Sequence, residues 1–328
     1  MTRPVKRITS KDVARAAGVS QTTVSFVLNK RAGHAIPEET QRRVLEAARR
    51  LDYRPHASAR SLAAGRSDIV LLSVPDLPIG SSISRFVEQL AAALADHGLT
   101  LVTHLAGAHG RPLPDVCASV GATAVLGLGA FDADTVQTLY RAGADVVLPT
   151  EAEDAEAMRP IGRLQAEHLI GRGHRRLGYA LPGHRALLPM ARERLAGVAD
   201  ACAEAGLAPP FVADTTLDVA VAAEAVAAWR REDATGVCAF NDETAIAVLA
   251  GMREHGLTAP GDIAVVGVDD TPAAPLVAPP LTSVAFDLRE VARRRAVSLA
   301  AALAGEQRDV VPEGELPLEA RVVRRASA

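Results

Sequence analysis

The sequence predicts a small all-α helix-turn-helix head followed by a larger α/β body of parallel sheets folded as two lobes. Three observations lead to this. Charge divides the chain: the 328 residues have a formal net charge of −3, yet residues 1–66 hold 14 Lys plus Arg against 5 Asp plus Glu, and residues 67–328 hold 22 against 34. A near-neutral total therefore hides a basic head and an acidic body, the asymmetry expected when one end meets nucleic acid and the other does not. Two short helix signals joined by a glycine lie near the N-terminus, and from residue 68 onward short apolar runs alternate with amphipathic stretches.

At ~150 residues per domain the length predicts two or three domains and excludes a small stapled scaffold. Hydrophobic residues make up 48% of the chain and aromatic residues only 3%. The three cysteines, Cys117, Cys202 and Cys238, are odd in number, far apart and set mostly in apolar stretches, so buried free thiols are expected rather than a disulfide framework or a metal knuckle. No cofactor is expected either. Gly127-Leu128-Gly129 lacks the third glycine of a dinucleotide loop, and neither a phosphate-binding Gly-Lys-Ser/Thr nor a Gly-x-Ser-x-Gly nucleophile motif occurs, which makes an enzyme the remote reading. The first ten residues carry charge with no apolar segment behind it, and no apolar run reaches the ~20 residues that span a membrane. The expectation is a soluble, cytoplasmic protein.

In the head, Thr9-Ser10-Lys11-Asp12 opens with a capping signal, Val13, Ala14 and Ala17 share one helical face, and Gly18 ends the helix. Ser20 is placed as N-cap of a second helix, Gln21 to Asn29, with Val24, Val27 and Leu28 as its buried stripe. Ala14 leaves room where the helices cross, Gly18 accepts the positive φ of the turn, and Val19, Val24 and Val27 clamp one helix on the other. An ordinary helical hairpin needs neither the small residue nor the glycine at these offsets, so the pattern reads as a helix-turn-helix. In that motif the start of the second helix faces base edges in the major groove, here Gln21 and Thr22, then Ser25 and Phe26. A third helix is predicted from Pro37 to Leu51, with acids in its first turn and Val44, Leu45, Ala48 and Leu51 as its apolar face. Its Arg42, Arg43, Arg49 and Arg50 can meet phosphate or simply keep the surface solvated.

The run Asp12 to Ser20, then Thr23-Val24-Ser25 and Val27-Leu28-Asn29, then Tyr53-Arg54-Pro55 and Ala59-Arg60-Ser61-Leu62, resembles the DNA-binding head and hinge of the lac-repressor (LacI/GalR) family of bacterial transcription regulators. The resemblance implies a DNA-binding domain over residues 1–55 and a hinge over 56–67, of which 56–63 becomes helical only on operator DNA. It implies DNA contacts at Thr9, Ser20, Gln21, Thr22, Ser25, Phe26, Asn29, Tyr53, His56, Ala59 and Leu62. Leu62 of each subunit would wedge into a central minor-groove step, where an apolar side chain kinks the duplex and added contacts offset the deformation. The alternative is that Leu62 merely packs in a linker. Phe26 stands where many relatives carry arginine, so it offers apolar contact, for example to a thymine methyl, in place of a grip on guanine.

In the body, Ile69–Val74, Leu99–His104, Thr123–Leu128 and Asp145–Leu148 read as strands, with helices at Ile83–His97 and Asp132–Arg141 between them. The alternation resumes with a helix at Leu164–Ile170, a strand at Leu177–Leu181, a helix at Ala191–Ala205, a strand at Val237–Phe240, a helix at Asn241–His255 and a strand at Ile263–Val268. Such alternation makes parallel α/β sheets, and two successive halves predict two lobes. The resemblance extends here through residues 166–176, 191–197, 240–245 and 265–270. It implies a periplasmic-binding-protein-like body over 68–328, two Rossmann-like lobes joined by three crossovers with a small-molecule effector in the cleft. Lobe one would take about 68–158 and 287–312, lobe two about 159–286 and 313–328.

Three effector-binding residues follow from the resemblance: Arg194, Asn241 and Asp269. Clefts open at the carboxyl ends of parallel strands, where charged and amide groups make paired hydrogen bonds to a ligand. Each residue also has a structural alternative. Arg194 can pair with an acid, Asn241 and Asp242 can cap a helix, and Asp269 or Asp270 can hold a turn. Around them the expected lining is altered: Pro75-Asp76-Leu77-Pro78 lacks the aromatic continuation of many relatives, and Ala157-Met158-Arg159 replaces a common acidic pair. Trp229, the one tryptophan, reads as a packing residue. These departures speak against a simple sugar and leave the effector open as a sugar, nucleoside or other small molecule, or the cleft as vestigial or answering to a partner protein. The strand Leu316–Val323 is followed only by Arg324-Arg325-Ala326-Ser327-Ala328, with no leucine heptads, so a homodimer on a pseudo-palindromic operator is expected, with its two heads in successive major grooves of double-stranded DNA. A solute-binding protein for transport is opposed by the basic head and by the lack of a leader.

Overall fold

Three helices open the chain in the computed structural model, which describes residues 8–28, 36–53, 67–76, 79–106, 110–150, 158–305 and 319–328. They are α1 (Ser10–Ala17), α2 (Gln21–Leu28) and α3 (Glu38–Arg50). Val13, Ala14, Ala17, Val24, Val27 and Val44 form their core together with Ala47 and Ala48. Gly18 sits at φ 65°, the left-handed position that closes α1, and the next N–H, of Val19, bonds to the Ala14 carbonyl at 3.0 Å. One expectation is corrected: Leu45 is 53% exposed and Ala47 is buried in its place. At 3.6 residues per turn, positions 44, 47, 48 and 51 share a narrow stripe, and position 45 lies outside it.

The first sheet of the body is parallel throughout, in the order β2-β1-β3-β4, from β1 (Ile69–Val74), β2 (Thr100–Leu105), β3 (Ala124–Phe131) and β4 (Val146–Thr150). The helices α4 (Ser81–Asp96), α5 (Leu113–Val120) and α6 (Ala133–Arg141) connect these strands. The second sheet contains β5 (Leu177–Pro182), β6 (Phe211–Thr215), β7 (Gly236–Ala239), β8 (Ala264–Val268) and β9 (Thr282–Phe286), with β10 (Ala320–Val323) antiparallel to β9. Its order is β10-β9-β8-β7-β5-β6, and its helices are α7 (Arg159–Gly171), α8 (Leu188–Glu204), α9 (Val219–Arg231) and α10 (Asp242–Glu254). The last helix among the described residues, α11 (Leu288–Leu303), returns to the first sheet, where Ala292, Ala296 and Leu299 share a core with Val70, Leu72 and Leu90. The chain thus passes between the two sheets after β4, after β9 and after α11.

The elements hardest to read in the sequence, α5, β6, β9 and α11, have weak local patterns. Phe211 and Val212 leave β6 a half-exposed edge strand. Thr282 and Ser283 open β9 with two fully buried polar residues that a hydropathy reading takes for loop. The cysteines are free and buried, and Trp229 is fully buried, with its Nε1 donating to the Phe211 carbonyl at 3.0 Å. Among the described residues no helix is long and apolar enough to cross a membrane.

Candidate functional site

The head presents one polar face. Ser20 begins α2 by accepting the Thr23 N–H on its hydroxyl at 3.1 Å, which satisfies an otherwise orphaned helical donor. Gln21, Thr22 and Ser25 then stand on the exposed side of α2, with Phe26 partly exposed beside them, while Val24 and Val27 turn inward. The Gln21 carboxamide is steadied by donating to Ser10 Oγ at 2.7 Å. Thr9 is engaged with α1: its N–H and hydroxyl both donate to Asp12, at 2.9 and 2.7 Å. Tyr53 packs partly buried against the head's core and closes α3 through its N–H to the Ala48 carbonyl. Arg42, Arg43, Arg49 and Arg50 are exposed on α3. Asn29, His56, Ala59 and Leu62 lie outside the described residues. The α2 face can therefore read bases by hydroxyl and amide hydrogen bonds and by apolar contact, and the α3 arginines supply charge for phosphates.

The second site lies where strand order reverses in the second sheet, between β5 and β7. Helices α7 and α8 cross there at backbone contact. A Cβ at Gly162 would fall on the Arg194 carbonyl, and one at Gly197 on the Arg159 carbonyl. Tyr179 on β5 adds a hydrogen bond from its hydroxyl to the Ala191 carbonyl at 2.9 Å. These contacts fix α8 at the residue that enters the cleft. The Arg194 side chain is 4% exposed; its Nη1 donates to the Phe240 carbonyl at 2.5 Å, and the guanidinium lies 4.7 Å from the Phe240 ring centroid. Its Nη2 faces Asp269 Oδ1 at 3.8 Å and Met158 Sδ at 3.9 Å. The Nε–H is buried and has no acceptor among the described residues.

Of the three residues expected here, the fold brings Arg194 and Asp269 together. Asn241 does something else: its Oδ1 accepts the N–H and hydroxyl of Thr244, at 2.9 and 2.7 Å, and so caps α10. The next residue, Asp242, is fully buried. Its Oδ1 accepts from Ser283 Oγ at 2.6 Å and its Oδ2 from the Thr271 N–H at 2.7 Å. Burial pushes its carboxyl up to about 6, although these donors pull the other way. Gln165 is also fully buried and donates from Nε2 to the Ala239, Val266 and Gly267 carbonyls beneath the site. The first lobe faces this site through α4: Ser81 Oγ donates to Glu243 at 3.5 Å and Arg85 to the Asp270 carbonyl at 3.4 Å.

Sequence reasoning passed over Gln165, and it read Asp242 as a helix cap, Met158 as part of an altered segment and Phe240 as part of the resemblance without placing any of them at the site. Gln165 left a trace, because it is a polar residue on the apolar stripe that carries Ile161 and Leu169. Asp242 left none, since an acid in the first turn of a helix is ordinary surface chemistry.

Comparison with known proteins bears on the family and the fold. Residues 9–56 match the bacterial regulatory proteins of the lacI family, and residues 166–328 match the periplasmic binding protein-like domain. Similar relatives include the HTH-type transcriptional repressor PurR of Photobacterium profundum, 31% identical over 84% of this chain and 86% of that protein. The HTH-type transcriptional regulator GalR of Escherichia coli is 31% identical over 97% of this chain and 95% of its own. Among solved structures, the lac repressor dimer bound to operator and the anti-inducer ONPF superposes with a TM-score of 0.79 at 24% identity, covering 98% of this chain and 99% of that one, a likeness of fold. A complex of the transcriptional regulator CelR with cellobiose has a TM-score of 0.66 at 28% identity, covering 98% of this chain and 100% of that one.

Proposed function

Since this chain belongs to the lacI family of bacterial regulatory proteins, it is a DNA-binding transcriptional repressor and not an enzyme, and we propose that a ligand held by Arg194 and Asp269 sets its operator affinity. It acts on operator DNA as a homodimer, and the cytoplasm is its place of work. In our reading residues 1–55 recognise DNA, 56–67 form the hinge and 68–328 form the sensing and dimerising body, with lobes divided at about 158, 286 and 312. Gln21, Thr22, Ser25 and Phe26 meet base edges. Thr9, Ser20, Asn29, Tyr53, His56 and Ala59 meet the backbone or hold the reading helix, and Leu62 is the minor-groove wedge.

The observation that carries the ligand reading is the buried Arg194 Nε–H, which has no acceptor among the described residues. A buried donor left unpaired costs about 1–3 kcal/mol, which a ligand oxygen at that position relieves. Arg194 and Asp269 offer donors and acceptors side by side, a set that suits hydroxyl, carboxylate or nucleoside chemistry. A ligand shifts DNA affinity only by its different affinity for the two lobe arrangements. Asn241, committed to Thr244, bounds the site as a cap.

One observation favours a second reading, in which the cleft takes no small molecule: the Phe240 carbonyl, Met158 and Asp269 already surround the guanidinium. The test is selection of genomic fragments by the purified protein, followed by a thermal-shift screen of sugars, nucleosides and amino acids. Enrichment of a palindromic site whose binding is lost in Leu62→Ala supports the DNA reading, and its absence defeats it. A screen without a stabilising compound favours the closed-cleft reading.

A further inference from the structure

Two consecutive aspartates leave β8 in left-handed backbone, Asp269 at φ 99° and Asp270 at φ 45°. L side chains adopt this region reluctantly, and a residue held there needs surrounding structure to over-determine it. The restraints are visible. The Asp269 N–H donates to the Val284 carbonyl at 2.8 Å, and the Asp270 N–H to Ser283 Oγ at 3.0 Å. Arg325 clasps the Asp270 carboxylate at 2.6 Å.

Beneath the turn sits the Asp242 carboxylate, which takes up both remaining donors, the Ser283 hydroxyl and the Thr271 N–H. One oxygen thereby anchors β9 and, through Ser283, the Asp270 amide, while the other anchors the exit of the turn. A Cβ at Gly267 would collide with this carboxylate, so β8 has been cleared to let it approach. We propose that Asp242 is a positioning residue of the cleft, whose carboxylate holds the 269–271 turn so that Asp269 faces Arg194.

The charged groups facing this carboxylate are few. Asp269 and Asp270 come from the turn after β8, with Asp270 paired to Arg325 from beyond β10. Glu243 is its neighbour on α10 and reaches Ser81 of α4, and Arg194 of α8 stands beyond Asp269. This inference rests on the reading of Arg194 and Asp269 as the ligand pair, and its test separates the two.

The experiment uses the full-length dimer labelled with ¹⁵N-arginine and follows the Arg194 Nε–H resonance, identified by its loss in Arg194→Lys. Asp242→Asn keeps the volume but leaves one acceptor oxygen, so the Thr271 N–H and the Ser283 hydroxyl can no longer both donate to it. The expected result is a displaced or broadened Arg194 resonance. Trp229→Phe, which loosens the opposite core through loss of the Phe211 contact, lowers thermal stability and leaves that resonance in place. An Asp242→Asn protein with an unchanged resonance overturns the proposal. Should that variant not fold, Ser283→Ala removes only the hydroxyl between Asp242 and the Asp270 amide. It is expected to move the resonance in the same direction, and no movement overturns the proposal.

The same proteins are titrated with any compound that stabilises the wild type in a panel of sugars, nucleosides and amino acids. Asp242→Asn is expected to weaken binding by at least about tenfold, as loss of a supporting partner does at other sites, while Trp229→Phe binds normally. A displaced resonance with no binding compound supports the positioning role and defeats the ligand reading. Equal binding by wild type and Asp242→Asn, with the resonance unmoved, defeats the positioning role and leaves the ligand reading standing.

Discussion

Gly162 on α7 lies against the backbone carbonyl of Arg194 on α8, so closely that a methyl group at position 162 would occupy the carbonyl itself. The crossing has no slack, because Gly197 repeats it against Arg159. Gly162→Ala must push the helices apart, and overpacking of this kind costs about 1–3 kcal/mol. Urea unfolding is expected to show that loss, and the displaced α8 should carry Arg194 out of register with Asp269. Unchanged stability would mean that the two helices part more easily than their contact implies.

Arg194 and Asp269 form a pair with side chains only 4% and 9% exposed. Arg194→Lys keeps the charge and loses the planar fork that reaches the Phe240 carbonyl and Asp269 together. We expect a ligand found by thermal shift to lose at least about tenfold in affinity, roughly 1.4 kcal/mol. DNA binding by the ligand-free variant should persist, since the DNA-reading face belongs to the separate helical head. Calorimetric titration and a gel shift on the same protein distinguish the two effects.

Asp242 supplies a pH dependence with a definite sign. Its carboxyl is raised to about 6 by burial, so between the ordinary carboxylate range and pH 6 the folded chain holds a proton that the unfolded chain has released. This group's contribution to stability is therefore most favourable below about pH 4 and declines as pH rises to 6. Plotted against pH, the stability of wild type minus that of Asp242→Asn should fall across this window and level off above it. A difference that rises across the window contradicts the assignment.

Gln21 and Arg42 should separate base reading from phosphate attraction. Gln21→Ala is expected to cost about 1–3 kcal/mol on the selected operator and to relax preference at one base pair per half-site. Arg42→Ala, on exposed α3, is expected to weaken all sequences alike and to reduce the log-log salt slope by about 1 per head. Fluorescence anisotropy on specific and scrambled duplexes over a range of salt measures both. A Gln21→Ala protein with unaltered preference would remove that residue from the reading face.

The head was readable because its instructions are local. The caps at Thr9 and Ser20, the glycine at 18 and the valine stripe all act within a turn or two of their own position, where backbone geometry leaves few choices. The alternation of strands and helices in the body is local in the same sense, and it fails where burial comes from afar, as at Thr282 and Ser283. Leu45 shows the finer limit: a leucine in an amphipathic helix still follows the stripe that its neighbours can cover.

The cleft belongs to the other category. Residues 194, 242, 269, 283 and 325 come from five separate segments, and nothing in their spacing says that they meet. Sequence alone specified a basic helical reading head on an acidic α/β body, because propensity, capping and hydrophobic period act over a few residues. The folded chain alone could decide that Asn241 caps a helix, that Asp242 turns inward and that Asp269 faces Arg194. Those outcomes depend on which distant donors and acceptors are left together once water is excluded, and burial makes each unpaired one costly.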